Sequence, residues 1–221
     1  MTTFANVERT CAVCGHTDEH TVLMSTSAFG APDLDTRPPP LARLTLPMQI
    51  QCCPVCGYCA PNVSEALPEA AAEVARPEYQ AQLRHPDFPY LANLFLCWSR
   101  IAEAAGRYAE AGWAAVRAAW ACDDEGPARA GAAVACRERA VALFESAQQR
   151  GQTFAHEPGA EEAILADLLR RSGRFAEADA VAQAGLARNP PPPIARVLRY
   201  QRHLCQRRDT EAHTVDEAPE A

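Results

Sequence analysis

The chain is 221 residues long, 48% hydrophobic and 22% charged, with a formal charge of −7 at neutral pH. This is the composition of a globular protein that buries a core, and a net-acidic one at odds with a phosphate-binding surface. All 21 basic residues counted as Lys or Arg are arginine, which excludes a P-loop lysine, Schiff-base chemistry and a lysine general base.

The first ten residues have neither a basic start nor an apolar run, and the most apolar stretch, 91–98, is too short to span a bilayer. A cytoplasmic location with no membrane partner is expected. The ten cysteines then read as thiols or metal ligands rather than disulfides.

Six of them lie in or beside two clusters. Cys11-Ala12-Val13-Cys14-Gly15 and Cys53-Pro54-Val55-Cys56-Gly57 each space two thiols three positions apart and follow the second with glycine. A turn wrapped round a metal-bound sulfur needs a residue tolerant of positive φ there. Each knuckle supplies two ligands and tetrahedral zinc takes four, so Cys11, Cys14, Cys53 and Cys56 are expected to close on one ion. Such a site has no open position and is structural. In small zinc domains it contributes roughly 10 to 16 kcal/mol to folding. Iron in a rubredoxin-like centre is the alternative, because spacing does not separate the two metals. Cys52 and Cys59 flank the second knuckle. Neighbouring strand residues point to opposite faces, so Cys52 and Cys53 should not share a metal. Packing is the plain reading of Cys59, and a swapped-in ligand or redox thiol the sharper one.

Residues 21–29 and 41–51 favour strands that carry the knuckles together. Thirty-eight residues separate Cys14 from Cys53, against roughly 15 to 20 in a compact ribbon. The excess is a proline-rich loop, 30–40, in which Asp33, Asp35 and Arg37 cap turns or contact a partner or cation. His16 and His20 follow the first knuckle but are poorer ligands than the four thiols. Through residue 62 the bases are Arg9, Arg37 and Arg43 and the acids Glu8, Asp18, Glu19, Asp33 and Asp35. A zinc ribbon this negative argues against nucleic acid.

Beyond the second knuckle the pattern turns helical. Asn62 or Ser64 caps a helix reaching Arg76, and Pro77 opens another that stops before Pro86. Gly106-Arg107-Tyr108-Ala109-Glu110-Ala111 returns 67 residues later as Gly173-Arg174-Phe175-Ala176-Glu177-Ala178. Two units of about 34 residues give this spacing, the tetratricopeptide period less one residue. Residues 128–149 form one long helix between the two units. A proline spacer, 190–193, precedes a last helix from Ile194 to about Arg207. Its polar side bears Arg196, Arg199, Arg202, Arg207 and Arg208, a solvated face, a nucleic-acid surface or the seat of the acidic tail.

The expected fold is therefore mostly α. A small β ribbon with an inserted loop (1–62) precedes a tetratricopeptide-like antiparallel array (63–208) and a disordered acidic tail (209–221). The two knuckles, segment 29–38 and the helices behind them resemble an uncharacterised bacterial family of unknown function, a split zinc ribbon joined to such helices. The resemblance implies metal ligands at Cys11, Cys14, Cys53 and Cys56 and no known reaction. Residues 160–190 are similar to tetratricopeptide repeats, whose concave face binds a peptide or partner protein. This implies groove positions at Asn93, Leu96, Arg100, Ala163, Asp167, Arg170 and Arg171. The chain's lack of lysine argues against the usual carboxylate clamp. The expected function is a non-catalytic interaction adapter. A redox module and a nucleic-acid-associated ribbon are the alternatives.

Overall fold

The computed structural model describes residues 2–220. Its N-terminal part is two separate antiparallel hairpins, each with a knuckle at its tip. Strands β1 (Thr3–Thr10) and β2 (Thr17–Ser25) form the first, with Val7 opposite His20 and Thr10 opposite Thr17. Strand β1 was not foreseen. It alternates between half-buried and exposed positions, but its half-buried side holds Thr3, Ala5, Val7 and Arg9, which give little apolar contrast.

The second hairpin is shorter, β3 (Gln51–Cys52) against β4 (Cys59–Ala60). The strand expected over 41–51 is instead helix α1 (Pro40–Arg43) and a 3-10 turn (Leu46–Gln49). Pro40 and Pro47 sit in the first turns of these elements, where a missing N–H is harmless, whereas Pro47 would break a ladder.

Eight helices follow among the described residues: α2 (Ala70–Val74), α3 (Pro77–Leu83), α4 (Tyr90–Ala104), α5 (Tyr108–Asp124), α6 (Ala130–Gln149), α7 (Ala160–Arg171), α8 (Phe175–Ala187) and α9 (Pro192–Gln206). From α4 onward each packs on the next. The helix expected to start at residue 62 or 64 begins at Ala70, because Asn62 closes a turn instead, accepting from Ser64 N at 3.1 Å. No helix is long and apolar enough to cross a membrane.

The repeated hexads fold alike. At Gly106 (φ 71°) Arg107 N donates to Ala102 O at 2.8 Å and Gly106 N to Glu103 O at 2.9 Å. At Gly173 (φ 77°) Arg174 N reaches Leu169 O at 2.9 Å and Gly173 N reaches Arg170 O at 2.9 Å. Both are Schellman closures, which satisfy the last carbonyls of a helix and require the left-handed residue that glycine supplies.

Packing does not respect the boundary expected at residue 62. Cys11, Leu46, Ile50, Cys53 and Tyr58 belong to the same buried cluster as Phe95, Ile101, Trp120 and Phe144. A second cluster gathers Ala166, Ala182, Val197, Leu198 and Leu204 around Leu34 of the inserted loop. The tail expected to be disordered is folded through Ala218. Asp33 bridges Thr214, Leu34 N donates to His213 O at 2.9 Å, and Val215 N to Pro32 O at 2.9 Å. Thr214 and Glu217 form a reciprocal capping box on a 3-10 turn (Val215–Glu217). The acidic composition of the tail did not reveal these backbone partners, which come from a loop some 180 residues away in the chain.

Candidate metal centre

Each knuckle is a hairpin tip closed by its own backbone. Cys11 N donates to His16 O at 2.8 Å and Gly15 N to Cys11 O at 2.8 Å. In the second, Cys53 N donates to Tyr58 O at 2.8 Å and Gly57 N to Cys53 O at 2.9 Å. Gly15 (φ 76°) and Gly57 (φ 77°) hold the same left-handed conformation. The two tips are tied at their base, where Ala12 N donates to Val63 O at 2.8 Å and Gln51 Oε1 accepts from Val63 N at 3.0 Å.

The four sulfurs of Cys11, Cys14, Cys53 and Cys56 lie within 4.8 Å of one another. Cys11 and Cys56 are 3.7 Å apart and Cys14 and Cys53 3.5 Å. A tetrahedron with metal–sulfur bonds of about 2.3 Å has edges of about 3.8 Å, so the spacing fits one ion with four thiolate ligands. It is far too long for a disulfide. Cys11 and Cys53 are buried, Cys56 is half-buried and Cys14 is exposed.

Backbone amides already point at these sulfurs. A hydrogen bond from the His16 backbone lowers the Cys14 thiol to about 7. The matching bond from Tyr58 to Cys56 is outweighed by burial, which pushes that thiol up, and burial also raises Cys11. A divalent ion held by these four thiols would replace those protons, with release of acid. The donor set suits zinc or iron.

Cys52 and Cys59 stand outside the cluster. They face each other across β3 and β4, as the alternation of strand side chains requires. Cys59 is fully buried, its Sγ donating to Gly57 O at 3.3 Å. The Tyr79 hydroxyl donates to the same carbonyl at 3.0 Å and accepts from Cys59 N at 3.1 Å. The hydrogen bond with Cys59 and then burial push the Cys52 thiol up, and burial pushes Cys59 well up, so both remain protonated thiols at neutral pH. His16 and His20 are not in the cluster.

The expected partner groove is not open. Asn93, Leu96, Ala163, Asp167 and Arg170 are buried. Arg170 is ion-paired with Asp167 at 2.6 Å and donates to the Asp209 and Glu211 carbonyls at 2.7 and 3.0 Å. Arg171 binds Asp123 at 3.0 Å and lies 3.7 Å from Asp35, while Arg100 pairs with Glu73 at 2.9 Å. The chain's own loop covers this face. Leu34 packs beside Ala163, Asp35 accepts from Trp120 Nε1 at 2.7 Å, and Arg37 pairs with Asp124. Asp35 also accepts from Arg37 N at 3.1 Å, the turn-capping role expected of it. The resemblance that named these positions carried no signal for partners lying elsewhere in the same chain.

No known family, curated protein or solved structure matches this chain.

Proposed function

We propose that the protein is a non-catalytic interaction adapter in which a structural zinc ion locks the β1–β2 hairpin to a helical array. The observation that carries this reading is the closed set of four sulfurs: a four-thiolate ion has no free position for water or substrate. The partner surface we assign is the hairpin and the segment leaving it. Among the described residues, five of the seven large apolar side chains left exposed, Phe4, Met24, Phe29, Leu41 and Leu44, lie there, whereas the face first expected to bind is internally filled. Exposed apolar side chains concentrated within one stretch of sequence, 4–44, make this segment the candidate for protein recognition.

Metal analysis and an absorption spectrum of the purified protein test the first half. One zinc per chain in a colourless protein is expected, and a visible thiolate-to-iron band would favour the redox reading, for which the exposure of Cys14 offers an electron path. Phe4→Ser with Met24→Ser tests the second half. Loss of a co-purifying protein at unchanged zinc content supports it, and unchanged recovery removes the hairpin surface.

A further inference from the structure

All three tryptophans of the chain line two adjoining cavities where the ribbon meets α4 and α5. Glu110, Trp113, Arg117 and Trp120 recur at helical spacing and form one stripe of α5. One cavity of about 380 Å³ lies between this stripe, Phe95 and Trp98. The other, about 290 Å³, lies between the stripe and Pro38 of the inserted loop. Trp113, Arg117 and Gln49 belong to both.

Arg117 is the unusual member. It is partly buried, its Nε donates to Gln49 Oε1 at 3.0 Å, and among the described residues it makes no ion pair. Other arginines of the helical array, Arg100, Arg137, Arg139, Arg170 and Arg171, each hold a carboxylate. The carboxylate sharing its stripe, Glu110, is engaged by Arg107 at 2.9 Å. Withdrawal from water pushes the Arg117 pKa below its ordinary value, and the charge of Glu110, which pulls the other way, does not offset it. The indole N–H groups of Trp113 and Trp120 are already spent on Phe154 O and Asp35, so these rings contribute apolar surface.

We propose that this junction is a binding site for a small aromatic carboxylate. The terminal edge of the Arg117 guanidinium takes the carboxylate through two parallel N–H groups, while the flat body lies against Trp113 and its neighbours. The larger cavity is within the usual range of small-ligand sites, roughly 300 to 1,000 Å³. Glu110 disfavours a second negative group, so the ligand is a monoanion.

The test titrates zinc-loaded full-length protein with indole-3-acetate by calorimetry, alongside indole-3-acetamide, Arg117→Met and the peptide Gly-Gly-Trp. Expected are saturable binding of the acid, at least a tenfold weaker response to the amide, and a similar loss in Arg117→Met, which keeps the aliphatic stem and melts no lower than the parent. Equal binding of acid and amide by the parent protein would overturn the proposal even if the variant failed to fold, as would an undiminished affinity in Arg117→Met or no binding of the acid at millimolar concentration. Tighter capture of Gly-Gly-Trp than of the free acid would assign the site to a protein C-terminus and overturn the small-molecule assignment.

Discussion

Gly15 and Gly57 occupy equivalent places in the two knuckles, so replacing each with alanine isolates what the second knuckle gains from the helices. Their φ angles, 76° and 77°, impose the same penalty on a side chain, about 1 to 2 kcal/mol. The surroundings differ. A Cβ at Gly15 meets nothing within 4 Å, whereas at Gly57 it falls 2.5 Å from Leu83 Cδ2 of α3. Leu83 is partly buried against the main core, so its displacement adds an overpacking cost of about 1 to 3 kcal/mol. Gly15→Ala should therefore lose about 1 to 2 kcal/mol and Gly57→Ala about 2 to 5 kcal/mol. Urea unfolding at saturating zinc measures both. Because the folded turn presents the thiolates, competition with a chromophoric chelator should show Gly57→Ala binding zinc roughly 5- to 150-fold more weakly than Gly15→Ala. Adding Leu83→Ala should bring the two variants together. Equal losses, or a larger one at Gly15, would refute the claim that the second knuckle is seated on α3.

Three further outcomes follow from the same geometry. Leu34→Ala should cost about 2 to 5 kcal/mol in urea unfolding, the range for truncating a buried leucine, and a loss below about 1 kcal/mol would mean that the loop is not held. Burial raises Asp35 to about 6, so between its unfolded value of 3.8 and 6 the native state keeps a proton that the unfolded chain has lost. Stability from this group is thus lost as pH rises to 6 and stays lost above it. The wild type should gain about 1.4 kcal/mol relative to Asp35→Asn between pH 7.5 and pH 5, and a parallel response of the two proteins would contradict that. Cys53→Ala should purify with less than stoichiometric zinc and Cys59→Ala with one ion per chain. The reverse pattern would exchange the ligand assignments.

The four-cysteine cluster was legible from the chain because each half of it is local: two thiols three apart and a glycine fix each turn, and four sulfurs are the number that one tetrahedral ion takes. The repeated hexad was legible for the same reason, since Gly106 and Gly173 close their helices with bonds spanning only a few residues. The loose apolar alternation of 41–51, read as a strand, concealed α1 and the 3-10 turn at Leu46–Gln49, where Pro40 and Pro47 lie in the first helical turns. The first strand went unread because Thr3, Ala5 and Arg9 give its inner side little apolar contrast.

What tertiary structure alone decided concerns partners far apart in the chain. Arg170, Asp167 and Arg171 look like a receptive groove until Asp35, Asp123 and the carbonyls of Asp209 and Glu211 are placed on them. Asp33 and Leu34 look like an exposed loop until Thr214 and the apolar side chains of α7 and α9 close over them. The amino-acid order determines which groups must find a hydrogen bond, an opposite charge or an apolar surface. Which distant segment supplies it depends on the packing of the whole chain, and here the chain supplies most of its own ligands but gives Arg117 the amide of Gln49 and, among the described residues, no ion pair.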